Sequence, residues 1–339
     1  MTGEHSFYGP LDDPAADAGH AGHPARVGFF TDTSICIGCK ACEVACKEWN
    51  GVPEDGLNLL GMSFNNTGML GADSWRHVAF VEQERPLGRQ DAGLDGLPTG
   101  PSVTGRADQT VAAALKETER GGGELGTAPV DLEFPTFELP GQRPGEHQRT
   151  QFRWLMASDV CKHCTHAGCL DVCPTGALFR TEFGTVVVQQ DICNGCGYCV
   201  SGCPYGVIDR REDDGRAWKC TLCYDRLRGD LEPACAKACP TDSIQFGPLD
   251  ELRERAAQRL DELHDAGVPE ARLYGHDPND GVGGDGAFFL LLDEPEVYGL
   301  PPDPVVPTRD LAQTWAYTGL AASALLATAV SVFLEWRRR

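Results

Sequence analysis

Cys36-Ile-Gly-Cys-Lys-Ala-Cys-Glu-Val-Ala-Cys-Lys47 sets four cysteines within eleven residues, with one lysine inside the run and another at its end. Three more groups of four follow: Cys161, Cys164, Cys169 and Cys173; Cys193, Cys196, Cys199 and Cys203; Cys220, Cys223, Cys235 and Cys239. Together they use all 16 cysteines of the chain. A disulfide framework would spread its cysteines to staple distant loops, and it belongs to short secreted chains. Structural zinc takes two pairs separated by a longer loop, which leaves the third cysteine of CxxCxxC without a role. A cubane iron–sulfur cluster takes three thiolates from one tight turn and a fourth from elsewhere. CxxCxxCxxxC, often followed by Pro, is that pattern, and in a two-cluster unit the last cysteine serves the other cluster. Groups one and three keep the tight spacing, while groups two and four widen one gap.

The chain repeats itself after the last cysteine of three groups: Cys173-Pro-Thr-Gly-Ala-Leu178, Cys203-Pro-Tyr-Gly-Val-Ile208 and Cys239-Pro-Thr-Asp-Ser-Ile244. Proline lacks an N–H and fixes φ, which helps turn the chain away from a cluster. Val27-Gly-Phe-Phe30 reads as a strand entering the first cysteine loop, and Gly184 to Asp191 as an extended segment after a glycine turn. Strand, cluster loop, short helix and strand, repeated, is a ferredoxin plan. The expected fold is therefore α+β, with two ferredoxin-like two-cluster units in one loop-rich domain and one transmembrane helix at the C-terminus.

Residues 1–26 are acidic, with His5, His20 and His23, and read as a flexible extension. They show no apolar core or twin arginine of an export signal. The cluster domain is expected over 27–247. An insertion at about 85–147 is rich in Gly, Pro and charge, with one helical patch at Ala112–Thr118. Ahead of it, Trp75, Val78, Phe80 and Val81 suit a strand packed on the domain. In the expected docking segment, 248–312, Leu249, Leu252, Ala256, Leu260 and Leu263 recur at helical spacing before Gly267. Gly281-Val-Gly-Gly-Asp-Gly286 matches GxGxxG, but an apolar strand follows it rather than a helix, so no nucleotide is expected.

A formal charge of −21 over 339 residues excludes a general nucleic-acid role, since no basic stripe displaces counterions from phosphate. Gly (40) and Pro (23) make up about a fifth of the chain, which suits loops wrapped around something rigid. Residues 313–339 read as a membrane helix and basic tail. Trp315 to Leu334 carries no charge, and its 20 residues span about 30 Å, one hydrocarbon thickness. Trp315, Tyr317 and Trp336 mark the interfaces, and Arg337, Arg338 and Arg339 follow. Gly319, Ala322, Ser323 and Ala324 form a small-residue face that favours another membrane helix beside it.

Lysine is scarce, six against 23 arginines, yet Lys40, Lys47, Lys162, Lys219 and Lys237 lie in or beside cysteine groups. A thiolate-held cubane is a buried anion, and net charge and hydrogen bonds to sulfur are levers on its potential. These five are the candidate potential-tuning residues. Arginine, larger and forked, is expected at planar acceptors rather than in a crowded sulfur cage. His163 and His166, between Cys161 and Cys169, are expected mainly to hydrogen-bond their loop.

The combination resembles the iron–sulfur (beta) subunit of membrane-bound formate dehydrogenases, one of the four-cluster subunits that serve molybdopterin oxidoreductases. The matching stretches are Cys36 to Cys46, Cys161-Lys-His-Cys-Thr-His-Ala-Gly-Cys-Leu-Asp-Val-Cys-Pro174, Cys193-Asn-Gly-Cys-Gly-Tyr-Cys-Val-Ser-Gly-Cys-Pro204, and Lys219-Cys-Thr-Leu-Cys223 with its gap to Cys235. The N-terminal extension and the long insertion depart from the family. The resemblance implies that group one pairs with group four and group two with group three. One cluster would then use Cys36, Cys39, Cys42 and Cys239, and its neighbour Cys46, Cys220, Cys223 and Cys235. The third would use Cys161, Cys164, Cys169 and Cys203, and the fourth Cys173, Cys193, Cys196 and Cys199. Some related nitrate-reducing subunits have Trp at one ligand position; here every position is Cys, so four [4Fe–4S] clusters are implied.

The implied role is electron transfer, with no catalytic residue. The implied partners are a molybdopterin (Mo or W) subunit that oxidises formate and a membrane cytochrome b or quinone-reactive subunit. The same role beside a hydrogenase or another molybdopterin reductase is the alternative. A tethered sensing module needs far fewer clusters. The arginine tail favours a single-pass membrane protein with its C-terminus in the cytoplasm and its cluster domain outside, carried across by a signal-bearing partner; with a partner that lacks a signal the domain would stay inside.

Overall fold

The computed structural model describes residue 11 and residues 13–56, 64–65, 67–83 and 153–338. The insertion at 85–147 and its helical patch lie outside the described residues.

Val27–Asp32 forms β1, as its apolar run predicts, and β1 leads straight into the first cysteine loop. It pairs antiparallel with β8 (Ile244–Pro248) and parallel with β10 (Ala287–Leu291), and β9 (Arg272–Tyr274) borders β10. The sheet order is β8-β1-β10-β9, and Phe29 sits opposite both Phe246 and Ala287. All five residues of β10 are buried, as a continuous apolar run should be in a strand covered on both faces. On one face Phe30, Phe288 and Leu290 pack under Leu249, Leu252, Ala256 and Leu263 of the helix Leu249–Asp265. The Phe30 and Phe288 rings stack 5.3 Å apart. On the other, Phe289 and Leu291 meet Leu155, Ala157, Tyr298 and Leu300, while Phe29 and Ala287 turn towards the cysteines. The C-terminal segment expected to dock from outside therefore supplies two strands of the central sheet. A short apolar run announces a strand but not which partner it finds.

The remaining strands form two-stranded pairs. β2 (Arg76–Gln83) lies beside β3 (Arg153–Val160), β4 (Leu178–Arg180) beside β5 (Val186–Val188), and β6 (Asp209–Arg210) beside β7 (Ala217–Trp218). The sequence repeat has a common geometry. One-turn helices at Gly168–Asp171, Tyr198–Ser201 and Ala234–Lys237 each end two residues before the last cysteine of a group. The carbonyls of Cys173, Cys203 and Cys239 then accept from the N–H of Gly176, Gly206 and Asp242, at 3.4, 3.2 and 3.5 Å. Those three residues have φ of 70°, 63° and 51°. Glycine takes this left-handed conformation freely and Asp tolerates it, which is why the repeat reads Gly, Gly, Asp there.

The extension expected to be flexible is packed in its described part. Asp13 accepts from the N–H of Ala15 and Ala16 and starts a turn of helix at Pro14–Asp17, whose Pro14 and Ala15 are buried. His20 Nε2 lies 3.0 Å from the Arg180 carbonyl. At the other end, Leu311–Arg338 is one exposed helix, and Gln313–Arg338 is long and apolar enough to cross a membrane. The hydroxyls of Thr314, Thr318, Ser323, Thr328 and Ser331 donate to carbonyls three or four residues back. None of these donors needs a partner outside the helix, which suits hydrocarbon surroundings.

Candidate iron–sulfur cluster sites

Cys36, Cys39, Cys42 and Cys239 line one enclosed cavity, with Lys40, Ser158 and Ser243 in its wall. We refer to these four cysteines as the first set. Asp32 accepts from Ser34 N at 2.9 Å and turns the chain out of β1. Left-handed Gly38 (φ 64°) and Lys40 (φ 60°) then reverse it into the helix Ala41–Asn50. That helix buries Cys42 and Cys46 one turn apart; Cys42 lines this first cavity, while Cys46 has Cys220 and Cys235 beside it. Burial pushes the Cys42 thiol up to about 11, against the pull of Arg76 and Ser158.

The second set, Cys46, Cys220, Cys223 and Cys235, is buried throughout. Burial raises the Cys46 thiol, and so do neighbouring Cys220 and Cys235. Each sulfur of this set receives an N–H. Asn50 Nδ2 reaches Cys46 Sγ at 3.8 Å and Cys223 Sγ at 3.7 Å, Leu222 N reaches Cys220 Sγ at 3.3 Å, and Arg76 Nη2 reaches Cys235 Sγ at 3.2 Å.

The third set, Cys161, Cys164, Cys169 and Cys203, lines a second cavity together with Lys162, His163 and Lys219. His163 Nδ1 accepts from Val186 N at 3.1 Å, so the ring proton belongs on Nε2. Burial, then the charges of Lys219, Arg26 and Arg180, hold this imidazole well below its usual range and hence neutral. Its Nε2 is buried and has no partner among the described residues. A buried donor of this kind requires an acceptor, and a cluster held by the third set would supply sulfur at that wall. The residues therefore fit the group.

The fourth set, Cys173, Cys193, Cys196 and Cys199, lies nearer the surface, with Cys196 exposed. Burial, then Cys193, Cys173 and Cys196, push the Cys199 thiol up to about 11. Cys173 is lowered instead, because the N–H groups of Leu178, Thr175 and Ala177 outweigh its burial. Ala217 N donates to Cys193 Sγ at 3.4 Å.

The five lysines divide sharply. Lys162 is 0% exposed, pairs with Asp159, donates to the Val160 carbonyl at 3.0 Å and lies over the rings of Phe289 and Tyr205. Lys219 is buried, donates to the carbonyls of Val186 and Cys220, and is raised in spite of its burial by Cys161, Cys169 and Cys220. Lys40 pairs with Glu43 at 3.5 Å. Lys47 fastens a loop through the carbonyls of Pro53 and Asp73 and the carboxylate of Asp55. Lys237 is 73% exposed beside Glu232, where water screens it from any buried sulfur.

Arg76 corrects the expectation that arginine stays out of the sulfur cage. It is 2% exposed and donates from Nη1 to Ser158 O at 3.1 Å and Ser158 Oγ at 3.3 Å, and from Nη2 to Cys235. The fork fits because Ser158 supplies two acceptors in a row and Phe29 a ring 4.9 Å away to stack on. A signal was present: Arg76, Val78 and Phe80 share one face of a predicted strand, and a charge on a buried face calls for a partner.

Two stretches of the sequence, residues 35–177 and 152–249, match a 4Fe-4S dicluster domain. This defines the class, a protein built to hold 4Fe–4S clusters in pairs. The nitrate-inducible formate dehydrogenase iron-sulfur subunit of Escherichia coli (strain K12) is 32% identical over 318 residues, covering 93% of this chain and 85% of that one. The formate dehydrogenase iron-sulfur subunit of Haemophilus influenzae is 33% identical over 289 residues, 84% and 71% of the two chains. A component of the E. coli anaerobic dimethyl sulfoxide reductase is 29% identical over 230 residues, 68% and 77%. The protein belongs to the family of formate dehydrogenase iron–sulfur subunits, which are electron-transfer and not catalytic subunits.

Proposed function

We propose that this protein carries electrons from a molybdopterin (Mo or W) subunit that oxidises formate to a membrane cytochrome b or quinone-reactive subunit. The four sets of cysteines are the proposed ligands of four [4Fe–4S] clusters. When bound, these clusters supply one-electron redox chemistry; the chain supplies spacing, insulation and hydrogen bonds to sulfur.

The observation that carries the reading is that the sets follow one another through shared residues. Ser158 Oγ lies 3.1 Å from Cys42 Sγ and accepts from Arg76, which reaches Cys235, so the first set adjoins the second. Cys161 is the strongest influence on the Cys220 thiol after burial, and Lys219 touches both sides of that junction. Cys169 and Cys199 sit on adjoining one-turn helices, which joins the third set to the fourth. The proposed path runs first, second, third, fourth.

The root of the long C-terminal helix supports its polarity. Thr308 Oγ1 donates to Asp171 Oδ2 at 2.6 Å, and Pro307 closes against Gly168, both beside Cys169. The membrane end is thus the end of the third and fourth sets, and the catalytic subunit would dock at the first. The helix is the proposed single-pass anchor in the cell membrane, with the arginine tail in the cytoplasm and the cluster domain outside.

The similarity to a dimethyl sulfoxide reductase component favours one alternative, the same role beside a different molybdopterin reductase. A tagged pull-down from detergent-solubilised membranes decides between them. Formate-dependent dye reduction by the captured complex, with about sixteen irons per copy of this protein, supports the proposal. A four-cluster complex that carries another catalytic subunit and ignores formate retains the wire and discards formate.

A further inference from the structure

Arg76 is a buried cation that donates directly to a cysteine sulfur. Among the described residues no carboxylate pairs with it, and its Nε, also buried, has no partner. An unpaired guanidinium in a protein interior is costly, because its lost hydration must be replaced. The two amino groups of Arg76 reach a sulfur and a hydroxyl against sulfur, in the first two sets at once. Nη2 donates directly to Cys235 Sγ of the second set, and Nη1 reaches Ser158, whose hydroxyl lies 3.1 Å from Cys42 Sγ of the first.

Resting on the ligand sets proposed above, we propose that Arg76 is the potential-setting residue of the first two clusters, holding both reduction potentials up and so governing transfer from the first to the second. Each reduction adds one electron, received from the preceding donor and passed on whole. The guanidinium stays protonated throughout, so no proton is exchanged. A fixed positive charge beside the cage favours the state with the extra negative charge. Asn50, which donates to the Cys46 carbonyl and to the sulfurs of Cys46 and Cys223, acts on the second cluster and without a full charge.

The test is a potentiometric titration followed by electron paramagnetic resonance, on the purified membrane complex carrying the native chain, Arg76→Gln, Arg76→Lys or Asn50→Leu. Iron per chain is measured first. With four clusters retained, Arg76→Gln should lower two of the four midpoints, each by about a tenfold fall in the reduced-to-oxidised ratio at fixed potential, or about 59 mV for a one-electron couple. The other two should not move. Asn50→Leu should lower one of the same two, by less. Arg76→Lys keeps the charge but loses the fork, and should move the same two midpoints part of the way. It also decides the matter if Arg76→Gln fails to keep its iron. Retained iron with all four midpoints unmoved in both Arg76 variants, or a uniform shift of all four, overturns the inference. A native chain without four clusters overturns instead the reading on which it rests.

Discussion

Replacing Gly38 with Ala puts a methyl group at the tightest point of the first cysteine loop. Gly38 has φ +64°, and a Cβ there would lie 2.5 Å from Met156 Sδ and 2.7 Å from the Phe80 ring. The left-handed backbone costs an L-residue about 1–2 kcal/mol. Both clashing atoms belong to side chains and can yield, so the crowding adds an overpacking cost of about 1–3 kcal/mol. The sum, ~2–5 kcal/mol, falls on the few residues between Cys36 and Cys39, because the atoms nearest the added methyl belong to Met156 and Phe80 and not to another cysteine loop. That is enough to displace two proposed ligands of one cluster and too local to unfold the domain. The expected outcome is loss of about a quarter of the iron and of one cluster's paramagnetic signal, with the others unchanged. Gly51→Ala is the control. Its φ is +55° with nothing within 4 Å, so it carries the backbone cost alone and should keep all its iron. Iron and sulfide per chain, with spectra of the reduced complex, measure both. A Gly38→Ala protein with full iron and native spectra would refute the argument that this turn positions the first set, and so would equal losses in the two variants.

Gly28→Ala tests the sheet. Its Cβ would lie 2.0 Å from the main-chain oxygen of Gly286, which accepts from Phe29 N at 2.8 Å. No side chain can relieve this, so a loss above about 3 kcal/mol and a clearly lower melting temperature are expected, and an unchanged melt would contradict the register. Lys219→Met should lower the midpoint of the third cluster or the second, while Lys237→Ala leaves every midpoint alone; the reverse order would put the tuning charge in solvent. Stripping the iron with a chelator should abolish the cooperative thermal transition seen by circular dichroism, since a site formed of buried thiols depends on its metal for folding energy. A stripped protein that melts like the loaded one would show the sheet to be self-sufficient.

The cysteine groups were legible because cluster ligation fixes their spacing, and the Cys-Pro repeats because a left-handed residue is needed three positions past the cysteine. The long apolar helix at the C-terminus was legible from an uncharged run of twenty residues. Less of the sheet could be read. Phe288 to Leu292 announces a strand, but its parallel pairing with β1, across more than two hundred residues, is decided by which faces the finished domain must cover. Asp13-Pro14-Ala-Ala carries a capping residue followed by proline, a helix start that its acidic surroundings obscured. His163 gave no sign in the sequence of its left-handed φ of 46° or of its unpartnered Nε2.

The buried cations show why charge near sulfur was only half read. Proximity in sequence put Lys162, Lys219 and Lys237 on one footing, whereas the structure buries the first two and leaves Lys237 exposed, because adjacency to a cysteine says nothing of which way a loop faces. It also hid Arg76, more than two dozen residues from any cysteine in the sequence. Placement by junction accounts for the pattern better. Two anionic centres close together in a low-dielectric interior oppose each other's reduction, and the opposition falls if a fixed cation lies between them. Arg76 stands between the first and second sets, and Lys219 between the second and third. At such a junction reach and anchoring matter more than compactness, which explains why a fork stacked on Phe29 and tied to Ser158 serves where lysine was expected.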